Sequence, residues 1–299
     1  MLGPQRPTGN LPAVVRAAGV RGPVALISAG WRYDEDRDEP LRADLGLPVH
    51  NLKIYDAYQE IEREAPDLAR AHGRKQAALQ RAKAVYRAAL RPAMDGCFAL
   101  LAEDPSPESP WFAAAVAHVR RLDELFLAET DRLHRQFREE AHPLRHPIVR
   151  FVRAQVADVL RGCEALLIAG GHVAILRNRL HFFGLEELLG RRPVFAWSAG
   201  AMVMGERVWL YHDRSARGRG SMELLDRGFG LVTGLELFPH AHERLLLEDL
   251  DAMKVLAARV APNRVVGLEN GAVLLPGGQA AGPAGLVHVR ADGVVEEGP

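Results

Sequence analysis

The stretch Ala165-Leu-Leu-Ile-Ala-Gly170-Gly171-His172, followed after a helical interval by Pro193-Val-Phe-Ala-Trp-Ser198-Ala-Gly-Ala-Met202, decides the fold. Each half is a short apolar run that stops at small residues and releases into a helix-forming segment. That is the pattern of parallel strands joined by helical crossovers. Working outward, the alternation predicts a helix over 148–161, a strand at Ala165 to Ile168, a helix over 173–189, a strand at Val194 to Trp197 and a helix beyond Ser198. Further on lie an apolar run at Leu231 to Phe238, a helix near 243–260, and strands at Arg264 to Leu268 and Ala272 to Leu275.

Upstream, Val24 to Ile27 and Val49 to Ile54 read as two more strands, separated by the polar loop Arg32-Tyr-Asp-Glu-Asp-Arg-Asp-Glu-Pro40. Between 55 and 145 strand-like runs vanish, and Ala, Arg, Glu and Leu dominate. Phe112, Val116, Val119, Phe126, Leu133 and Phe137 fall on one helical face, as do Leu79, Ala82, Tyr86, Ala89 and Ala93. A break is expected at Asp104-Pro-Ser-Pro107. The sequence therefore predicts a doubly wound, mostly parallel α/β domain made of 1–54 and 146–299, carrying an α-helical insertion over 55–145. A second apolar stripe on that insertion would serve homo-oligomerisation or partner docking.

The 299 residues are 48% hydrophobic and 25% charged, enough for a large core, and Lys plus Arg balance Asp plus Glu at 38 each. No net charge biases the chain toward nucleic acid or acidic membranes, so neither is an expected partner. Cys97 and Cys163 are too few for a disulfide scaffold and lack metal-ligand spacing, which points to a cytoplasmic location and to no metal or other cofactor. Pro4, Pro7 and Pro12 interrupt the opening where a signal peptide needs an apolar core, and no later run approaches the ~18 apolar residues of a membrane span.

The segment around Ser198 has the form of a nucleophile elbow, in which a tight strand-to-helix turn lifts a serine hydroxyl above the strand end. Such a turn requires small neighbours, here Ala196 and Gly200, and offers the Ala199 N–H to an oxyanion. The Gly170-Gly171 turn ends the preceding strand and brings a second donor, from Gly171 or His172, to the same crevice. A serine needs a base, and Phe238-Pro-His240-Ala-His242-Glu-Arg244 supplies two histidines after an apolar strand. His240 is preferred because the spacing to Arg244 starts there, and His242 is the alternative. Glu269, in Gly267-Leu-Glu-Asn-Gly-Ala272, lies between two strands where it can be aimed back at the histidine.

These residues resemble the serine peptidases that include dipeptidase E and cyanophycinase, built on the class I glutamine amidotransferase-like fold. Trp197-Ser-Ala-Gly-Ala201 is similar to their nucleophile segment, Gly170-Gly171 to their glycine turn, His240-Ala-His-Glu-Arg244 to the cyanophycinase H-F-x-x-R, and Glu269-Asn-Gly-Ala272 to its E-N-T-A. The resemblance implies hydrolysis of a small peptide or amide substrate through a Ser198-His240-Glu269 triad, an oxyanion hole at Gly171 and Ala199, and substrate contacts at Gly170, His172, Arg244 and Asn270. In dipeptidase E the acid instead lies fifteen residues past the serine, which here is Asp213. The helical block is foreign to the small members and implies a divergent subgroup. The competing expectation is an amidotransferase-like binding or regulatory module without turnover. Finally, Asp34, Glu35, Asp36, Asp38 and Glu39 crowd the loop beside Trp31, which predicts a preference for cationic substrates if that loop borders the crevice.

Overall fold

The computed structural model describes residues 1–6, 9–106, 108–211, 222–281 and 284–298. The chain is mixed α/β, and its centre is a sheet of four parallel strands: β1 (Val24–Ile27), β2 (Val49–Asn51), β3 (Ala165–Ile168) and β4 (Val194–Ala196), in the order β2-β1-β3-β4. The registers Val24↔Ala165 and Leu166↔Val194 bring the carboxyl ends of β1, β3 and β4 to one edge. Side chains alternate between the two faces of a strand. Ala25, Ile27, Leu166 and Ile168 therefore pack on one side against α3 (Ile54–Glu64), α6 (Pro147–Arg161) and α7 (Val173–Phe182). Val24, Leu26 and Leu167 pack on the other against α1 (Leu11–Ala17), with α2 (Glu39–Leu45) beside it. Helices thus cover both faces, which is why the central strands β1 and β3 are apolar throughout, whereas the edge strand β2 carries His50 and Asn51.

Several element ends differ from the sequence expectation, each for a local reason. The second strand stops at Asn51 because Lys53 adopts a left-handed backbone (φ 47°, ψ 48°) and the buried Glu35 carboxylate accepts the N–H groups of Tyr55 and Asp56, starting α3 at Ile54. The helix expected over 173–189 ends at Phe182, where Gly184 turns left-handed (φ 57°) and a short 3-10 turn follows. The polar loop after β1 is partly helical, holding a 3-10 turn at Ala29–Asp34 and then α2.

The helical stretch forms two long antiparallel partners, α4 (Pro66–Glu103) and α5 (Pro110–Ala141), separated at the expected prolines. Phe112, Val116, Val119 and Phe126 are all buried. Their core is shared with α8 (Ala199–Met204), the antiparallel pair β5 (Arg207–Leu210) and β6 (Glu223–Arg227), and α10 (Leu250–Val260). Arg259 of α10 fastens the pair with a buried fork to Asp123 of α5 at 2.7 Å on each arm, while Tyr86 of α4 donates to the same carboxylate at 2.6 Å.

A second sheet contains β7 (Leu235–Pro239) parallel to β8 (Arg264–Leu268), with β11 (Leu286–Val289) and β12 (Val295–Gly298) added antiparallel. A short pair, β9 (Val273–Leu274) with β10 (Ala280–Ala281), and the brief helix α9 (Ala241–Arg244) complete the chain. Leu2 joins the two halves: it bridges Trp197 after β4 and also Val273. The same seam carries hydrogen bonds from Leu2 N–H to Ala196 O and from Ser198 N–H to Leu2 O. Among the described residues no helix is long and apolar enough to cross a membrane.

Candidate active site

Ser198 follows β4 after Trp197 and caps α8 with φ 51° and ψ −123°, a backbone that side-chain-bearing residues rarely adopt. The surroundings enforce it. A Cβ on Gly200 would lie 2.3 Å from Ile168 O and 3.0 Å from Ala169 O, so the helix can start this close to β3 only with glycine there. A Cβ on Gly170 would come 2.9 Å from the Ser198 Cβ and 3.2 Å from its Oγ. The glycine turn after β3 is therefore the floor beneath the hydroxyl, and Ala196, fully buried, is the small residue on the strand side.

Gly171 has φ 105° and backs onto Gly30 O, which accepts the His172 N–H at 2.8 Å. The His172 N–H is consequently spent, whereas among the described residues no backbone carbonyl takes the N–H of Gly171 or of Ala199. Both N–H groups are therefore open to an acceptor beside Ser198. The His172 side chain is also engaged, its Nδ1 accepting from Ile175 N–H as a helix cap at 3.3 Å.

His240, at the carboxyl end of β7, has a left-handed backbone (φ 60°, ψ 40°), and its N–H donates to Leu268 O. That conformation turns the imidazole back over β4, where Nε2 lies 3.4 Å from Ser198 Oγ. Its Nδ1 lies 3.2 Å from the Glu243 carboxylate, one turn along α9. Burial, with Arg244 close by, holds the His240 pKa below the ordinary value of 6.5, and Glu243 and Glu269 oppose that shift. The ring is a neutral base at neutral pH.

The two histidines are divided between different carboxylates. His242 points away from Ser198: Glu269 accepts its N–H at 2.9 Å and lies 3.2 Å from its Nδ1, and Glu297 lies 2.9 Å from its Nε2. The expected pairing of Glu269 with His240 is thus replaced. Glu269 stands at the end of β8, beside the end of β7, but its carboxylate meets α9 at its first turn rather than the imidazole of His240. Asp213 lies outside the described residues. Glu243 was not anticipated, although its spacing of three from His240 at a helix start is a readable signal.

Arg244 and Asn270 support the turn rather than facing open space. Arg244 lies over the buried Tyr211 ring at 5.9 Å, and the Tyr211 hydroxyl donates to Pro239 O immediately before His240. Asn270 donates to Pro4 O and Arg6 O, tying down the opening segment. The acidic loop adjoins the site through Gly30 but spends much of its charge on the fold. Glu35 caps α3, and burial pushes its carboxyl up to about 7. Asp38 is buried against Arg42, and Asp34 pairs with Arg37. The cationic-substrate expectation loses these three carboxylates. Comparison of the chain with models of known protein families gives no match, and no curated protein matches it.

Proposed function

We propose that the chain is a serine hydrolase acting on a peptide or amide bond of a small substrate. The observation that carries this reading is the strained Ser198 turn with its Oγ 3.4 Å from His240 Nε2. In the proposed cycle His240 takes the Ser198 proton as Oγ attacks the carbonyl carbon. The Gly171 and Ala199 N–H groups receive the negative oxygen, and His240 gives the proton to the leaving amine as the C–N bond breaks; His240 then takes a proton from a water that attacks the Ser198 ester and returns it to Oγ as the acid departs. Glu243 orients the imidazole through Nδ1, and Glu269 adds negative potential nearby. A 3.4 Å contact is long for a hydrogen bond, as free-enzyme catalytic contacts often are before substrate tightens them.

The layered parallel sheet supports a doubly wound arrangement of the class I glutamine amidotransferase-like kind, and the elbow, the glycine turn and the His240 segment support kinship with the dipeptidase E and cyanophycinase peptidases. Cys97 and Cys163 are both free, in keeping with the expected cytoplasmic location.

A fluorophosphonate probe tests the reading. The full chain is expected to be labelled once, on the peptide containing Ser198, and Ser198→Ala is expected to stay folded and unlabelled. An unlabelled wild-type chain that still binds small peptides would favour the binding-module reading instead.

A further inference from the structure

A second polar centre lies apart from Ser198, where α4, α5, α7 and β6 converge. Lys75 is 5% exposed, His134 5% and Arg177 6%, yet Lys75 Nζ, His134 Nδ1 and Arg177 Nη1 have no hydrogen-bond partner. Buried polar atoms are nearly always satisfied, and leaving one without a partner is costly. Asp226 ties two of these side chains together, through His134 Nε2 and Arg177 Nη2, and Lys75 is near enough to act electrostatically on both Asp226 and His134. The Phe137 ring, 4.6 Å from Lys75 Nζ, forms an apolar wall.

Positive groups outnumber carboxylates. Lys75 and Arg177 face Asp226, which lies 3.9 Å from Arg177 Nη2 and 2.8 Å from His134 Nε2, and the half-exposed Glu186, 3.8 Å from His181 Nδ1, is a second carboxylate acting on Arg177. Arg179 of α7 and Arg138 of α5 add further positive potential. His72 and His181 border the cluster as neutral rings, both held well below their ordinary pKa by burial and by these cations. Asp226 offsets only part of the cost of burying Lys75, and burial pushes its pKa down to about 7. The Asp226 contact also fixes the His134 tautomer: Nε2–H donates to the carboxylate, which leaves Nδ1 as a bare acceptor. The vacant hydrogen-bonding capacity is therefore two cationic donors and one acceptor.

We propose that Lys75 Nζ, Arg177 Nη1 and His134 Nδ1 bind a small hydrogen-bearing oxyanion of the phosphate or bicarbonate kind. Its oxygens accept from Lys75 and Arg177, and its O–H donates to His134 Nδ1. Water would satisfy the hydrogen bonds but leave the positive excess; a fully deprotonated oxyanion such as sulfate would offset the charge but leave His134 without a donor. The bound ion would fasten the helical pair to α7, which begins beside the Gly170-Gly171 turn.

The test is thermal unfolding of the full chain in inorganic phosphate, bicarbonate, sulfate and chloride at matched ionic strength near pH 7, with phosphorus and carbon NMR of the wild-type chain reporting bound phosphate and bicarbonate. The expected result is a saturable rise in melting temperature with phosphate or bicarbonate, and a bound resonance for whichever is effective. Sulfate and chloride should give much smaller rises. Lys75→Met, which removes an unpaired buried cation and so leaves the fold intact, should weaken binding by about tenfold or more. Ser198→Ala should leave binding unchanged. Equal effects from all four salts, sulfate matching the hydrogen-bearing ions, no bound resonance in the wild-type chain, or undiminished binding in both Lys75→Met and Arg177→Leu would overturn the proposal.

Discussion

Two turns that follow strands of the parallel sheet share an unusual backbone: Arg32 after β1 at φ 62° and ψ −126°, and Ser198 after β4 at φ 51° and ψ −123°. Their surroundings differ. Ser198 is held over Gly170 with an imidazole within reach of its oxygen, while Arg32 extends an exposed side chain beside Tyr33. Backbone strain of this kind costs about 1–3 kcal/mol wherever it occurs. The comparison shows that the strain marks the edge where strands end, and that the partner across it, His240, distinguishes a candidate nucleophile from a kinked loop.

The largest expected effect is on that partner. His240→Ala should slow fluorophosphonate labelling of Ser198 by about 10²–10⁴-fold, the usual contribution of a general base, while His242→Ala leaves the rate nearly unchanged. Equal losses in the two variants would erase the distinction between the histidines. Next comes the packing that permits the turn. Gly200→Ala forces a Cβ against Ile168 O and should cost about 3 kcal/mol of stability, seen as a lower denaturant midpoint.

A smaller effect separates the carboxylates. Glu243→Gln should slow labelling by about tenfold, because that side chain orients His240 Nδ1 but is 73% exposed and screened by water. Glu269→Gln should change the rate by about twofold at most, since its hydrogen bonds go to His242. The reverse order would restore Glu269 as the orienting acid. The smallest effect is at the other turn: Arg32→Gly should raise stability by about 1 kcal/mol with labelling intact, measured as a higher melting temperature. A loss of labelling there would mean that the β1 turn takes part in the site.

Strands β1, β3 and β4 of the parallel sheet were legible because burial makes them continuous apolar runs, and the elbow because its small residues are a steric necessity visible in the letters 196–200. The break of the helical pair was legible from prolines. The start of α3 was not, because its cap is Glu35, distant in sequence and recognisable only once the chain has folded. The carboxylate contacts were not legible for a related reason: matching letters around Glu269 specify a turn, whereas the left-handed backbone of His240 decides which imidazole that carboxylate meets. The Lys75 cluster gave no sequence signal, since its members come from three helices and a strand, each with ordinary spacing.

The most direct measurement of the central claim is the rate of Ser198 labelling by a fluorophosphonate as a function of pH. The neutral imidazole is the reactive form, and burial lowers the His240 pKa, so the form persists below the ordinary value. The rate should therefore fall on acidification with a midpoint under the ordinary histidine value of 6.5. His240→Ala should remove that step, and His242→Ala should retain it. A midpoint above 6.5, a step that survives in His240→Ala, or labelling at a residue other than Ser198 would contradict the account.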